Sequence, residues 1–215
     1  MKSIFWFAAM AAALVAIPGH ATTIFDQSPP NFNAVDMVDS RVADSFSSLS
    51  AFTIGTVNFW YQAQFETDLS TVAWAFYRNS GGVPGTLLYS GAAAPTTSID
   101  TNAFFASFGV SNLSFSPGIY WLELHAGSSL TDNTNNGSTF TVFWSNVDGT
   151  PTLPTVIDSG LGLPTTPVTT PGFEESAFQL LGTSGGGGTV PEPSAFLLIG
   201  SGLALVWWRK GSRAP

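Results

Sequence analysis
The chain has 215 residues, of which 44% are hydrophobic and only 9% charged, and its formal net charge is −8. Between residues 22 and 189 two basic residues, Arg41 and Arg78, stand against thirteen acidic ones, so this stretch carries 2 − 13 = −11. Such a surface repels phosphate backbones and excludes nucleic-acid binding. The absence of cysteine excludes a disulfide, a thiolate zinc site and a cysteine nucleophile.

The chain opens with Lys2 and an uncharged apolar run over residues 4–17, broken by Pro18-Gly19-His20-Ala21. Gly19 and Ala21 put small residues at positions −3 and −1 of a cleavage site before Thr22, the layout of a secretory signal peptide over residues 1–21. An exported domain is expected over residues 22–183. Its sequence holds short runs rich in β-branched and aromatic residues, separated by Gly, Pro, Asn and Ser. Residues 42–46 form the first predicted strand. Residues 52–61 form the next, with Phe52, Ile54, Val57, Phe59 and Tyr61 as its apolar set and Gly55 marking a bulge that shifts the phase. Residues 71–78 place Val72, Trp74, Phe76 and Arg78 on one face. A glycine-rich turn over residues 81–85 leads into a strand at 86–90, and runs at 103–110, 118–125, 139–146 and 176–181 follow. The spacing predicts an all-β domain of nine or ten strands: a two-sheet antiparallel sandwich, jelly-roll-like, with most Trp and Phe side chains between the sheets. Residues 151–171, with five prolines, are expected to form a long surface excursion.

A Gly-rich linker over residues 184–189 separates this domain from the C-terminal segment. That segment reads Val190-Pro191-Glu192-Pro193, then an apolar run over residues 194–208, then Arg209, Lys210 and Arg213. The run is about fifteen residues, or about 22 Å as a helix, shorter than the ~20 residues of a comfortable span. It is read as a short transmembrane helix. Trp207 and Trp208 suit the membrane interface, and the basic cluster suits the cytoplasmic side, which leaves the domain outside the inner membrane. Together these features resemble the PEP-CTERM sorting signal of Gram-negative bacteria. The resemblance covers residues 190–213. It implies that an exosortase, a membrane enzyme of transpeptidase type, recognises Pro191-Glu192-Pro193 and cuts near it, after a transient membrane-anchored stage. It also implies a secreted or cell-surface protein of a species that forms exopolysaccharide and biofilm. The same tail is catalogued as an ice-binding protein C-terminal domain, a label that describes the tail and not ice binding. Upstream, Phe59-Trp60, Ala75-Phe76-Tyr77-Arg78-Asn79-Ser80-Gly81-Gly82, Gly118-Ile119-Tyr120-Trp121-Leu122 and Ser176-Ala177-Phe178-Gln179-Leu180 resemble, in that order, the β-sandwich ectodomains paired with this tail. That likeness implies a fold and carries no catalytic residue.

Residues able to carry chemistry are few. Period-two geometry puts Trp121, Glu123 and His125 on one face of their strand and Tyr120, Leu122 and Leu124 on the other. Glu123 and His125 are neighbours that could share a proton or hold a metal, but a solvated face opposite the core is the expected role. Asp132-Asn133-Thr134-Asn135-Asn136-Gly137 superficially resembles a calcium loop, yet Phe143 stands where an EF-hand needs its last acidic ligand. A turn at Asn136-Gly137 is favoured, with an irregular Ca²⁺ site from Asp100, Asp132 and Asp148 as the alternative; otherwise no cofactor or metal is expected. Glu174 and Glu175 point apart in an extended chain, and Glu66 and Asp68 are expected to flank a loop, so no acid/base pair of a glycosidase is read and the protein is taken as non-enzymatic. Trp60, Trp74, Trp121 and Trp144 are expected as inter-sheet core. Exposed, they would instead stack on sugar rings, making the domain a carbohydrate-binding module for neutral exopolysaccharide.

Overall fold
The computed structural model describes residues 21–31, 33–65, 69–101, 103–131, 142–147, 156–158 and 175–184. Gly19, the linker from residue 185, the expected helix over 194–208 and the sorting tail lie outside the described residues, as do Glu66, Asp68, Asp132, Asp148 and Glu174.

Among the described residues twelve strands form two antiparallel sheets. The first sheet runs in the order β1 (Thr22–Gln27), β12 (Phe178–Ser184), β4 (Phe52–Gln62), β8 (Phe104–Phe115) and β7 (Thr96–Ile99). Two short strands, β10 (Phe143–Ser145) and β2 (Ala34–Asp36), extend it from the last residues of β4. The second sheet runs β11 (Val156–Asp158), β3 (Arg41–Ser48), β9 (Gly118–Ala126), β5 (Val72–Ser80) and β6 (Val83–Ala93). The chain stays within one sheet only from β1 to β2, from β5 to β6 and from β7 to β8; every other step in strand order changes sheet, and β12 returns between β1 and β4.

Alternation builds the core. Phe52, Ile54, Val57, Phe59, Tyr61, Phe108, Phe115, Trp144, Phe178 and Leu180 of the first sheet meet Val42, Phe46, Val72, Trp74, Phe76, Tyr120, Leu122 and Leu124 of the second. Phe46 is the hub. Its ring lies 5.7–6.3 Å from the rings of Phe25, Phe52, Phe76, Phe115, Tyr120 and Phe178, so one side chain of the second sheet meets four strands of the first, β1, β4, β8 and β12, and two of its own sheet, β5 and β9. Edge-to-face pairs of this kind add about 0.5–1.5 kcal/mol each beyond area burial. The phase shift expected at Gly55 is present: inward residues pass from Ile54 to Val57, and pairing with both β8 and β12 slips beside Gly55. Opposite it, Asn112 of β8 has a positive φ of 43°. Gly182 allows the closest strand approach, since a Cβ there would lie 1.8 Å from the Thr53 carbonyl oxygen.

Several expectations are corrected. The turn at 81–85 is the two residues Gly81 and Gly82, both with positive φ, and Val83 already begins β6. Strand β8 continues five residues beyond the expected 110, past the bulge. The 151–171 excursion contains β11, which pairs with β3. Strands β1, β2 and β7 are additions; three of these four unforeseen strands have only three or four residues and no alternation to read.

Candidate functional site
The outer face of the second sheet carries a group of buried polar side chains. Alternation places Arg41 and Ala43 of β3, Trp121, Glu123 and His125 of β9, and Ala73, Ala75 and Tyr77 of β5 together on it. This is the face expected to be solvated, and it is not: Trp121, Glu123 and His125 are all 0% exposed. Glu123 is flanked across both neighbouring strands by Ala43 and Ala75, whose small side chains leave room beside its carboxylate. Arg41 fills that room. Its Nε donates to Glu123 Oε1 and its Nη2 donates to Glu123 Oε2 at 2.8 Å, a forked pair, while Nη2 also donates to the Tyr77 hydroxyl at 3.0 Å. Tyr77 in turn donates to Glu123 Oε2 at 2.6 Å. Burial pulls the Arg41 pKa down, but the Glu123 carboxylate and Tyr77 outweigh it, and the net shift is upward. Burial, reinforced by Glu123, pushes the Tyr77 hydroxyl up as well. The triad is therefore a closed, charge-compensated unit. Glu123 and His125, weighed as proton-sharing neighbours, are separately engaged: His125 Nδ1 lies 3.3 Å from the Ser40 carbonyl oxygen. Trp121 packs with Ala43, Ala75, Tyr77 and Leu130 and donates its indole N–H to Asn79 at 3.0 Å.

A second buried carboxylate lies between the sheets. Asp44 shares the inward face of β3 with Val42 and Phe46 and is 0% exposed. Its oxygens accept the backbone N–H groups of Ser45 and Ser176 and the side-chain amide of Gln27 at 3.3 Å. It thus links β3 of one sheet to the end of β1 and to the bridge residue Ser176, two positions before β12, in the other. Burial pushes its pKa up to about 8; the Ser176 N–H opposes this, Glu175 adds to it, and Ser45 and Gln27 oppose it more weakly. A cavity of about 220 Å³ nearby is lined by Phe25, Asp26, Gln27, Ser45, Phe46 and Glu175 among others, and Asp44 is not part of its wall.

The four tryptophans singled out as sugar platforms are all buried, at 0–9% exposure. Trp74 and Trp144 lie between the sheets as expected, but Trp60 and Trp121 do not. Trp60 sits on the outer face of the first sheet with Phe105, Ala103, Val147 and Ala177, and its indole N–H donates to Asp100 at 2.7 Å. That bond, with the Thr101 N–H, holds the exposed Asp100 carboxyl below its ordinary range. Asp100 is thus engaged by Trp60, and its proposed Ca²⁺ partners Asp132 and Asp148 fall outside the described residues. Among the described residues no three His, Asp or Glu side chains gather as a metal site, and no helix is long and apolar enough to cross a membrane.

Strand β12 ends at Ser184, and four glycines, residues 185–188, follow it. From there, residues 189–210 match the PEP-CTERM protein-sorting motif. The chain carries a PEP-CTERM signal. The match takes in Val190, Pro191, Glu192, Pro193, Trp207, Trp208, Arg209 and Lys210 and stops before Arg213. A PEP-CTERM signal implies export, membrane-anchored sorting toward the cell surface and processing by an exosortase-type membrane enzyme. No curated protein and no solved structure matches the chain.

Proposed function
We propose that this protein is a non-enzymatic β-sandwich of the cell surface or extracellular matrix, exported by a Gram-negative cell and delivered through its PEP-CTERM tail. The observation that carries this reading is the position of the motif, which starts at residue 189, five residues after the last strand of the domain. In this reading Lys2 and the apolar run over 4–17 direct export, and cleavage follows Ala21. The start of β1 at Thr22 supports that boundary, because the first residue of the mature chain would already pair with Gly182. The apolar stretch over 194–208 anchors the chain transiently, Trp207 and Trp208 lie at the interface, and Arg209, Lys210 and Arg213 stop transfer. The exosortase recognises Val190, Pro191, Glu192 and Pro193. The strand order also supports a jelly roll: numbering the eight long strands in chain order, the sheets read 1-8-3-6 and 2-7-4-5.

Intact mass spectrometry of the protein recovered from a host with an exosortase tests the reading. The expected mature form lacks residues 1–21 and the tail beyond about Pro193. A mature form that retains the whole tail in such a host would overturn the processing step.

A further inference from the structure
Along one side of the sandwich two strand edges face each other unpaired. Among the described residues β6 pairs only with β5, and β8 beyond Ser107 pairs only with β4. The Tyr89 hydroxyl of β6 bridges the gap by donating to the Ser114 carbonyl oxygen at 2.8 Å. Beside that bridge lies a cleft of about 550 Å³, lined by Leu88 and Ser90 of β6, by Val110, Ser111 and Leu113 of β8, and by Trp74 of β5 among others. Sites for small molecules commonly hold ~300–1,000 Å³.

Trp74 differs from the other tryptophans of the sandwich. Trp60, Trp121 and Trp144 donate their indole N–H groups to Asp100, Asn79 and the Ala177 carbonyl oxygen. The Trp74 N–H has no hydrogen-bond partner among the described residues, although the side chain is 9% exposed. The described side chains with a sealed polar atom and no partner are Asn58, Ser145, Asn146 and Ser176, so the Trp74 nitrogen is open to the cleft that the ring lines. Gly91 makes room for it. This residue pairs with Trp74, and a Cβ there would lie 2.7 Å from Trp74 Cζ2 and 3.4 Å from Nε1. The ring stacks with Phe108 and meets Phe76 edge-on. It is therefore no platform for stacking, and what it offers the cleft is a hydrogen-bond donor.

We propose that this cleft binds a neutral saccharide, whose hydroxyl groups pair with the Trp74 N–H and with the Ser90 and Ser111 hydroxyls. The site lies within the domain, and its role goes beyond the sorting function. No described residue that lines the cleft is charged, so an ionic ligand would shed its hydration there with no counter-charge to replace it. A purely apolar ligand would leave the indole N–H and the strand-edge groups unpaired. A sugar ring carries both kinds of surface: hydroxyls for these groups, and C–H faces for Leu88, Val110 and Leu113. An added peptide strand would need a regular row of edge groups, and neither edge provides one. Residues 110–112 of β8 bulge opposite the single Gly55, with Asn112 at a φ of 43°, and the pairing of β6 slips on both sides of Tyr77.

Indole N–H resonances test the site directly. The full-length chain, with nitrogen-15 in its indoles, is held in micelles of a sugar-free zwitterionic detergent, and the Trp74 signal is assigned by its loss in Trp74→Phe. The probes are the hexasaccharides of glucose, mannose and galactose. At least one of them is expected to move the Trp74 signal saturably and to leave those of Trp60, Trp121 and Trp144 in place. Ser111→Phe, at an exposed position where no packing is lost, crowds the cleft and should weaken that binding at least about tenfold. Trp74→Phe should weaken it about threefold to tenfold by calorimetry, the loss of one hydrogen bond. A Trp74 signal that no hexasaccharide moves overturns the inference, and so does binding of equal strength in the Ser111→Phe chain. A signal moved as far by oligogalacturonate, an anionic saccharide, overturns the assignment to neutral sugars. A shift produced by a peptide of the β6 sequence and by no saccharide overturns it in favour of strand addition. Each of these results leaves the sorting function standing.

Discussion
The middle of the second sheet, along β3, β9 and β5, is buried on both faces, and the two are built from opposite materials. The inner face is Val42, Phe46, Val72, Trp74, Phe76, Tyr120, Leu122 and Leu124, held by close packing that has no direction. The outer face sets a forked Arg41–Glu123 pair and the Tyr77 hydroxyl among alanines and Trp121, with the ion pair 7% and 0% exposed. An apolar face tolerates exchange between side chains of similar volume. A buried ion pair tolerates the loss of both partners better than the loss of one, because a single survivor keeps its charge without compensation. The two faces therefore differ less in how much they stabilise than in how they fail.

Breaking the outer face from one side is expected to have the largest effect. Glu123→Ala strands the Arg41 guanidinium and should cost about 3–5 kcal/mol in urea unfolding. Leu122→Ala, the next residue along β9 on the inner face, should cost about 2–5 kcal/mol through its cavity. The contrast lies in the repair: Arg41→Met combined with Glu123→Leu should recover most of the first loss. A double variant as unstable as Glu123→Ala would show that the outer face depends on charge and not on filled space.

Asp44 offers a sharper test, because a carboxylate there stands on an apolar face. Its folded pKa of about 8 lies above the ordinary 3.8, so between these values the folded state holds a proton that the unfolded chain has released. Its contribution is fully present below about pH 4 and is lost as pH rises toward 8, at up to about 1.4 kcal/mol per pH unit. Asp44→Asn, which retains an acceptor for the Ser176 N–H, should flatten the stability profile across that window. An unchanged slope would mean that the three N–H donors, and not burial, govern the group. The smallest effect belongs to Tyr77→Phe, which removes one hydroxyl from the triad and should cost about 1–2 kcal/mol by chemical denaturation, with the Arg41–Glu123 pair retained.

Period-two alternation made much of the sandwich legible. It sorts β4, β5 and β9 into the faces they have, and Gly55 marks its bulge because a lone glycine in a long alternating strand has few other reasons to be there. Alternation assigns residues to a face but does not say what that face meets, which is why Glu123 and His125 were expected in solvent. The signal for the buried outer face was in β5: Val72, Ala73, Trp74, Ala75, Phe76 and Tyr77 form an unbroken apolar run, the pattern of a strand covered on both sides. The Arg41–Glu123 contact joins residues 82 positions apart, and no local pattern encodes it. The sorting signal was readable for the contrary reason. It acts as a linear segment of fixed order, so its residues do not need the fold to bring them together.

The place of β12 also bears on how the chain must fold. The last strand of the domain lies inside the first sheet, bonded to β1 on one side and β4 on the other, and the Thr22 hydroxyl reaches a carbonyl 160 residues further on. A chain threaded through a translocon from its N-terminus cannot close this sheet until residue 184 has crossed, and contacts of such long range form slowly. Until then the edges of β1 and β4 stay open and prone to pairing with other chains. If the tail pauses in the membrane as proposed, β12 has time to insert before processing, and the sheet is finished before the chain leaves the anchor.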